Sequence, residues 1–324
     1  PVVRSVSVLQ NRLLIGTMGS DIIEYDMNQS MATKISEGHF KGETWGLDVH
    51  PTERLFVTCG DEGSVMVWDG PRKTLRSKRS LGAQCRAVCY SSDGSEIACG
   101  LSQGHLVILS NNLREVVAEK NVGRDWIQTM KYSPDGRLLA VGSHDRCIWV
   151  WQVEEDGSYR LRGRCLGHSS YITHIDFSAD SNFLQSNCGA YELLFWDLQM
   201  VSSKSKQIKR VTSATAMRDV EWATWTCTLG WPVQGIWPAC SDGTDINAVD
   251  GRVDLGSLVT ADDFGKVKLF RYPCVTAGAI HKEYRGHSSH VTNVKFSKDG
   301  KYVYSVGGND RTVIQWKVRE DLNP

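Results

Sequence analysis

Apolar and polar residues alternate along most of this chain in short runs, and glycine, aspartate or asparagine separates one run from the next. Alternation with a period of two predicts β-strands, because successive side chains of a strand point to opposite faces of its sheet. The pattern is clearest in residues 167–197 and 286–316, which both begin with Gly-His and both carry a tryptophan at the end of a third predicted strand. These two segments are therefore copies of one unit.

The same unit recurs in weaker form along the chain. Its third strand is marked by an aromatic residue or a leucine, and these markers are Tyr25, Trp68, Leu109, Trp151, Trp196, Phe270 and Trp316. The steps between them are 43, 41, 42, 45, 74 and 46 residues, and all but one are close to the roughly 40–45 residues of a four-stranded propeller blade. The sequence therefore predicts an all-β propeller of about seven blades over residues 1–324, with an insertion of about 30 residues in the sixth blade.

Short motifs recur in a fixed order within the units: Gly-His, then Ser-Pro-Asp-Gly (residues 133–136), then Trp-Asp (residues 68–69 and 196–197). With these motifs the units resemble WD40 repeats, and the resemblance implies a single WD40-type β-propeller. In many such repeats a histidine, a strand hydroxyl, a turn aspartate and the tryptophan fix the blade by hydrogen bonds. The residues to which the resemblance gives this structural role are His39, His168, His287, Asp310, Trp68, Trp151, Trp196 and Trp316.

We expect this hydrogen-bonding set to be incomplete in several units. Glu62 takes the aspartate position of the second unit, and Ala190 takes it in the fifth. In the last unit Val306 stands where a hydroxyl is expected. Histidines that recur in such a set are scaffold residues and therefore poor candidates for catalysis.

The sixth unit contains the long step. Residues 217–222 (MRDVEW) are predicted as its first strand, and residues 258–261 and 266–270 as its second and third. The insertion, residues 226–249, then lies between the first and second strands and emerges at one rim of the ring. Three tryptophans spaced six residues apart accompany it: Trp225, Trp231 and Trp237. The segment either caps its own blade or contacts a neighbouring propeller or another protein, since tryptophan offers a large contact area for both.

Composition excludes several classes of function. Basic and acidic residues number 37 each, so the zero net charge argues against a nucleic-acid binder that works through broad electrostatics. No apolar run approaches the roughly 18–20 residues that span a bilayer, so no membrane partner is expected. The ten cysteines form no CxxC pair and no Cys/His cluster with zinc spacing. We expect reduced thiols and neither a metal nor another cofactor.

An enzyme is not expected either. The Ser-Ser pair beside His168 suggests a nucleophile, but the same Gly-His-Ser-Ser recurs at residues 286–289, which favours an architectural role. No P-loop or HExxH motif is present.

Two basic segments are candidate contacts for a protein partner. The first, PRKTLRSKR, contributes Arg76, Lys78 and Arg79, and the second, SSKSKQIKR, contributes Lys204, Lys206, Lys209 and Arg210. Both segments either form solvated edges of the propeller or meet an acidic protein surface, where opposite charge speeds encounter.

A closer resemblance is carried by WTCTLGWPVQGIWP, SDGTDINAV, ADDFGKVKLFRYPC and GHSSHVTNVKFS, read in that order. These segments resemble the echinoderm microtubule-associated protein-like family, and the motif order covers roughly residues 2–317. This chain is similar to the C-terminal one of the family's two adjacent propellers. The chain starts without methionine, and too few residues follow the last predicted strand for a fourth, so we expect a fragment of a longer, multi-propeller protein.

The family resemblance implies partners and a location. It implies a cytoplasmic, cytoskeletal protein whose partners are tubulin or microtubules and the adjacent propeller of the same chain. One interpretation is that this propeller binds tubulin or supports the propeller that does. The alternative is a general scaffold that recruits other proteins, with microtubule attachment supplied elsewhere in the chain.

Overall fold

Almost all regular structure in the protein is β-strand. A computed structural model describes residues 2–319, which form six four-stranded sheets and one three-stranded sheet. Each sheet is an antiparallel meander in which every strand pairs with the next strand of the chain. All seven marker residues of the repeat lie in the third strand of a sheet. The prediction of an all-β, WD40-type propeller is confirmed, and each of the seven predicted units forms one sheet.

The strands of the first four sheets are β1 (Val3–Leu9), β2 (Arg12–Thr17), β3 (Ile22–Asp26), β4 (Met31–Ser36), β5 (Thr44–Val49), β6 (Leu55–Gly60), β7 (Ser64–Asp69), β8 (Thr74–Ser80), β9 (Cys85–Tyr90), β10 (Glu96–Leu101), β11 (His105–Ser110), β12 (Val116–Asn121), β13 (Ile127–Tyr132), β14 (Leu138–Ser143), β15 (Cys147–Val153) and β16 (Tyr159–Leu166). Those of the other three sheets are β17 (Ile172–Phe177), β18 (Phe183–Cys188), β19 (Leu193–Val201), β20 (Ile208–Val211), β21 (Ile246–Arg252), β22 (Ser257–Asp262), β23 (Lys266–Arg271), β24 (His281–Arg285), β25 (Val291–Phe296), β26 (Tyr302–Gly307) and β27 (Val313–Lys317). Three short 3-10 helices cover Ser102–Gly104, Ala214–Met217 and Trp231–Ile236. No helix among residues 2–319 has the length and apolar character that a bilayer crossing requires.

The first strands of neighbouring sheets pack side by side around the ring. They follow the order β5, β9, β13 and β17, and β21 packs against β25. The ring closes where β25 meets β5, because the Thr292 hydroxyl donates to the Thr44 carbonyl at 2.6 Å across that junction. A buried apolar layer seals the same junction, in which Tyr304 of the last sheet stacks on Phe56 of the second with 4.2 Å between ring centroids.

The first sheet lies outside this ring. Since the last sheet meets the second directly, no room is left between them for β1–β4. Every residue of β1 and β4 is exposed. The exposed side chains of this sheet include many large apolar ones: Val3, Val6, Val8, Leu9, Leu14, Ile22, Met31 and Ile35.

The prediction for the first strand of the sixth sheet is wrong. Residues 217–222 form no strand, and the first strand is β21 (Ile246–Arg252), which pairs along its whole length with β22. The inserted residues up to residue 245 therefore precede the first strand of the sheet and do not separate its first two strands, and residues 246–249 belong to β21 itself. The residues just before the insertion bridge two sheets, because Trp222 pairs with Ser178, which follows β17 of the fifth sheet, and Trp225 pairs with Gly251 of the sixth.

Candidate interaction surfaces and the inserted segment

Asp176, the fifth residue of β17, holds the insertion in place. Its fully buried carboxylate accepts hydrogen bonds from the Thr224 hydroxyl at 2.6 Å, from the Thr226 amide at 2.8 Å and from the Cys227 amide at 2.9 Å. The Lys131 ammonium donates to the same carboxylate at 2.7 Å. Burial opposes ionisation of Asp176, but Lys131 and the other donors outweigh it and lower the pKa of Asp176 to about 2.

The same link joins regular blades of the ring. Asp48, the fifth residue of β5, accepts a hydrogen bond from the Tyr90 amide of the next sheet at 2.8 Å. Asp250, the fifth residue of β21, accepts one from the Phe296 amide at 2.8 Å. In both cases the donor belongs to the first strand of the neighbouring sheet. The segment around Thr226 therefore takes the place that a first strand holds elsewhere in the ring. The insertion thus lies between the fifth and sixth sheets and closes the ring there.

The three tryptophans of this segment have different environments. Trp225 is only 6% exposed and packs into the core of the sixth sheet beside Val249 and Phe270. Trp237 is partly buried, and its indole N–H donates to the Thr228 carbonyl at 3.0 Å. Trp231 is 67% exposed at the start of its 3-10 helix. Two tryptophans thus pack against their own blade, and Trp231 offers contact area to solvent.

The first basic segment lies on β8, the last strand of the second sheet. Arg76 and Lys78 are exposed on one face of the strand, and Arg79 is half-buried on the other, as strand alternation requires. The Arg79 guanidinium donates to the carbonyls of Leu113 and Arg114 at 3.0 and 2.7 Å. Arg79 therefore ties the second sheet to the third.

Arg76 and Lys78 have carboxylates nearby. Arg76 lies 3.5 Å from Glu53, and Lys78 lies 3.8 Å from Glu37. The Arg76 side chain is 58% exposed, so most of its charge still faces solvent. A surface pair of this kind contributes little to stability, and both cations remain accessible to a partner.

The second basic segment lies on a different part of the ring. Lys204 and Lys206 are in the turn before β20, and Lys209 and Arg210 are in β20 itself. All four residues are exposed. The segment belongs to the fifth sheet, whereas β8 belongs to the second, so the structure does not bring the two basic segments together.

In the second sheet the WD40-type set is assembled. The His39 Nε2 atom is 2.8 Å from the Thr58 hydroxyl, which also accepts the Trp68 indole N–H at 2.8 Å. The other ring nitrogen of His39 pairs with the Glu62 carboxylate. Glu62 thus stands in for the aspartate.

The last sheet has its hydroxyl one residue earlier than predicted. The Ser305 hydroxyl is 2.7 Å from His287 Nε2 and accepts the Trp316 indole N–H at 2.8 Å, so the assignment of this position to Val306 is wrong. The strand register explains why the hydroxyl residue is at position 305. Trp316 pairs with Val303, and the hydroxyl residue follows two positions later, as Thr58 follows Phe56 in the second sheet. Asp310 lies 3.1 Å from His287 Nδ1.

In the fifth sheet the carboxylate also comes from another residue than predicted. The Ser186 hydroxyl joins His168 at 2.7 Å and Trp196 at 2.9 Å. Glu192, two residues beyond Ala190, places its carboxylate 3.2 Å from His168 Nδ1. The assignment of this position to Ala190 is therefore wrong. Glu192 comes two residues later in the turn, and its side chain is long enough to reach His168.

Trp151 occupies the tryptophan position of the fourth sheet but lacks its partner. It pairs with Leu139 in the strand register, and Val141 stands two residues later, where the second, fifth and last sheets have a hydroxyl. The buried Trp151 indole N–H consequently finds no hydrogen-bond partner. In that sheet the neighbouring Trp149 donates to Asp145 at 3.2 Å instead.

These features agree with comparisons to known proteins. The family model described as echinoderm microtubule-associated protein second beta-propeller matches residues 44–318. The chain belongs to the echinoderm microtubule-associated protein family. The match begins where β5 begins and ends just after β27, so it covers the closed ring with its insertion and leaves out the first sheet.

Several members of the family are similar over almost the whole chain. Echinoderm microtubule-associated protein-like 3 of Homo sapiens is 42% identical over 311 residues, which are 96% of this chain and 34% of that protein. The 77 kDa echinoderm microtubule-associated protein of Lytechinus variegatus is 40% identical over 97% of this chain and 45% of that protein. Echinoderm microtubule-associated protein-like 2 of Rattus norvegicus is 42% identical over 94% of this chain and 46% of that protein. The chain thus spans less than half the length of these relatives.

Proposed function

We propose that this ring is a non-catalytic protein-interaction module that binds tubulin or supports an adjacent propeller that does. Membership of a family whose members are named microtubule-associated proteins supports the partner. On this proposal the protein works at microtubules in the cytoplasm and has no nucleic-acid or membrane partner. The histidines His39, His168 and His287 are engaged in blade hydrogen bonds, which supports a role without catalysis.

The exposed first sheet is the main observation in favour of a contact with an adjacent propeller. An isolated sheet that exposes apolar side chains on both faces is unstable in water, so it needs a covering surface. The ring of residues 44–318 is already closed and does not provide one. We propose that β1–β4 completes the neighbouring propeller, and that the boundary between the two propellers lies between residues 36 and 44.

The exposed face of β8 is our candidate for the tubulin contact. Arg76 and Lys78 point away from the ring, whereas Arg79 is engaged by the third sheet. Two cations on a rigid strand speed the encounter with an acidic protein surface, and salt weakens that effect by screening. The exposed Trp231 is a second candidate contact, since tryptophan is enriched at the centres of protein interfaces.

The test is capture of purified αβ-tubulin by the full-length protein at low and high salt. We expect the Arg76→Glu/Lys78→Glu variant to capture less tubulin at low salt, with the difference shrinking at high salt. A matched control is Lys204→Glu/Lys209→Glu, which makes the same charge change on the fifth sheet. Equal capture by wild type and the β8 variant at low salt would remove β8 from the contact. Loss of capture by the control alone would move the contact to the second basic segment.

If neither charge variant changes capture, a further variant of the full-length protein separates the remaining alternatives. In this variant the exposed apolar side chains of β1–β4 are replaced by polar ones. Reduced capture by that protein supports a role through the adjacent propeller. Unchanged capture favours a general scaffold, with microtubule attachment elsewhere in the chain.

A further inference from the structure

One strand position points directly at the histidine–carboxylate pair of each WD40-type set. It lies two residues after the shared hydroxyl, and it is Gly60 in the second sheet and Gly307 in the last. A Cβ added at Gly60 would lie 2.9 Å from the Glu62 carboxylate, and one added at Gly307 would lie 2.6 Å from His287 Nδ1. Any side chain at this position is therefore directed between the imidazole and the carboxylate by the backbone itself.

In the fifth sheet this position is Cys188. Its sulfur lies 3.1 Å from Glu192 Oε2, and that oxygen lies 3.2 Å from His168 Nδ1. All three donor atoms fall within 4.8 Å of one another, and they form the one such group of three potential ligands found in the described part of the chain. His168 and Cys188 are buried, whereas the Glu192 side chain is 33% exposed and leaves a path from solvent.

We propose that His168 Nδ1, Cys188 Sγ and Glu192 Oε2 bind one zinc ion, with water as the fourth ligand. Imidazole, thiolate and carboxylate are the three ligand types that zinc takes in proteins, at about 2.0–2.3 Å. A tetrahedron with such bonds has edges of about 3.3–3.7 Å between donor atoms. The separations of Glu192 Oε2 from Cys188 Sγ and from His168 Nδ1, 3.1 and 3.2 Å, are already close to this range.

The surrounding hydrogen bonds orient these ligands. The Ser186 hydroxyl lies 2.7 Å from His168 Nε2, and the Ser169 amide donates to Glu192 Oε2 at 2.9 Å. When Nε2 carries the proton and donates it to Ser186, the lone pair of Nδ1 faces the ion. Such second partners of a ligand fix its orientation and raise metal affinity.

The charges balance by release of a single proton. Without metal the Cys188 thiol donates a hydrogen bond to Glu192, and the Glu192 carboxylate also accepts one from the Ser169 amide. Zinc binding breaks the S–H bond, forms the Zn–S bond and passes that proton to solvent.

The ion would also stiffen the contact between the fifth sheet and the insertion. Tyr191 precedes Glu192, and its hydroxyl lies 3.4 Å from the Asp242 carboxylate of the insertion. A ligand bond at Glu192 fixes the turn that carries Tyr191. Zinc bound here therefore acts as a structural clamp.

The test uses cobalt(II) as the spectroscopic probe, with the chain of residues 1–324. We expect one equivalent of cobalt, added to the metal-free chain, to give a thiolate-to-cobalt charge-transfer band with release of about one proton per ion. Zinc should then abolish the band by displacing cobalt, without further proton release. Cys188→Ser should lose the band. Cys240→Ser, which changes the exposed cysteine, should keep it. The urea midpoints of both metal-free variants show whether each still folds.

A second variant keeps the test independent of the thiol. Glu192→Gln retains the size of the side chain but weakens a ligand, and we expect zinc affinity to fall at least tenfold. Absence of the cobalt band in folded wild type, or a band that persists in Cys188→Ser, would overturn the proposal.

Discussion

Replacement of Asp176 by alanine should destabilise the ring at the insertion. The change removes the acceptor of the Lys131 ammonium and of the Thr226 and Cys227 amides, all close to the fully buried carboxylate. The expected result is loss of the fixed position of the insertion and a lower free energy of unfolding.

The magnitude follows from the charges and donors left behind. Removal of one partner of a buried ion pair lowers stability by about 3–5 kcal/mol, because the other charge stays buried without compensation. Each buried donor without a partner adds about 1–3 kcal/mol, although such terms overlap within one network. We therefore expect Asp176→Ala to lower the free energy of unfolding by about 3–5 kcal/mol.

The assay is urea unfolding followed by tryptophan fluorescence and circular dichroism. Asp250→Ala is the matched control, since Asp250 holds the same strand position but accepts one amide, that of Phe296, and lies 3.7 Å from Lys295. We expect a smaller loss for the control. Addition of Lys131→Met to Asp176→Ala should restore part of the loss, because it removes the uncompensated ammonium.

The effect should depend on pH in a defined direction. The pKa of Asp176 is about 2 in the folded protein and 3.8 ordinarily, so its ionisation contributes about 2 kcal/mol of stability above pH 4. Because the folded value is the lower one, this contribution is lost as the pH falls from about 4 to about 2. The difference between wild type and Asp176→Ala should shrink over that range. A loss below about 1 kcal/mol at pH 7, or a difference that grows in acid, would refute the reasoning.

Three further predictions concern the tryptophans and the shared hydroxyl. Trp196→Phe should lower the free energy of unfolding by about 1–3 kcal/mol more than Trp151→Phe, because only Trp196 loses a hydrogen bond; equal losses in urea unfolding would contradict this. Trp225→Ala should lower the free energy of unfolding by about 3–5 kcal/mol, whereas Trp231→Ala, at an exposed residue, should change the urea midpoint little. A larger loss for Trp231→Ala than for Trp225→Ala would contradict this prediction. Ser305→Ala should lower stability by about 1–3 kcal/mol, as thermal unfolding can show, whereas Ser305→Thr should retain most of it.

The repeat could be predicted from the sequence because each blade is formed by one continuous stretch of the chain. Alternation and turn residues within about 40–45 residues determine its strands, so all seven marker residues were placed on third strands. The assignment of Val306 failed by one residue, since alternation shows the faces of a strand but not its pairing register. Register emerged only when Trp316 could be seen opposite Val303.

The insertion was predicted less well because its position depends on distant residues. Residues 217–222 were predicted as a strand, yet they form only a single bridge, between Trp222 and Ser178, and residues 246–252 form the first strand of the sheet. Asp176 and Thr226 are 50 residues apart in the chain, and nothing in the composition of either segment marks their contact. Cys188 follows His168 by 20 residues, which hides their proximity from any search for closely spaced metal ligands.

We propose that this ring contributes to tubulin binding together with an adjacent propeller. The test is capture of purified αβ-tubulin by the chain of residues 1–324, beside a longer chain that includes the preceding propeller. We expect strong capture by the longer chain and weaker, more salt-sensitive capture by residues 1–324. Failure of the longer chain to capture tubulin at low salt would contradict it.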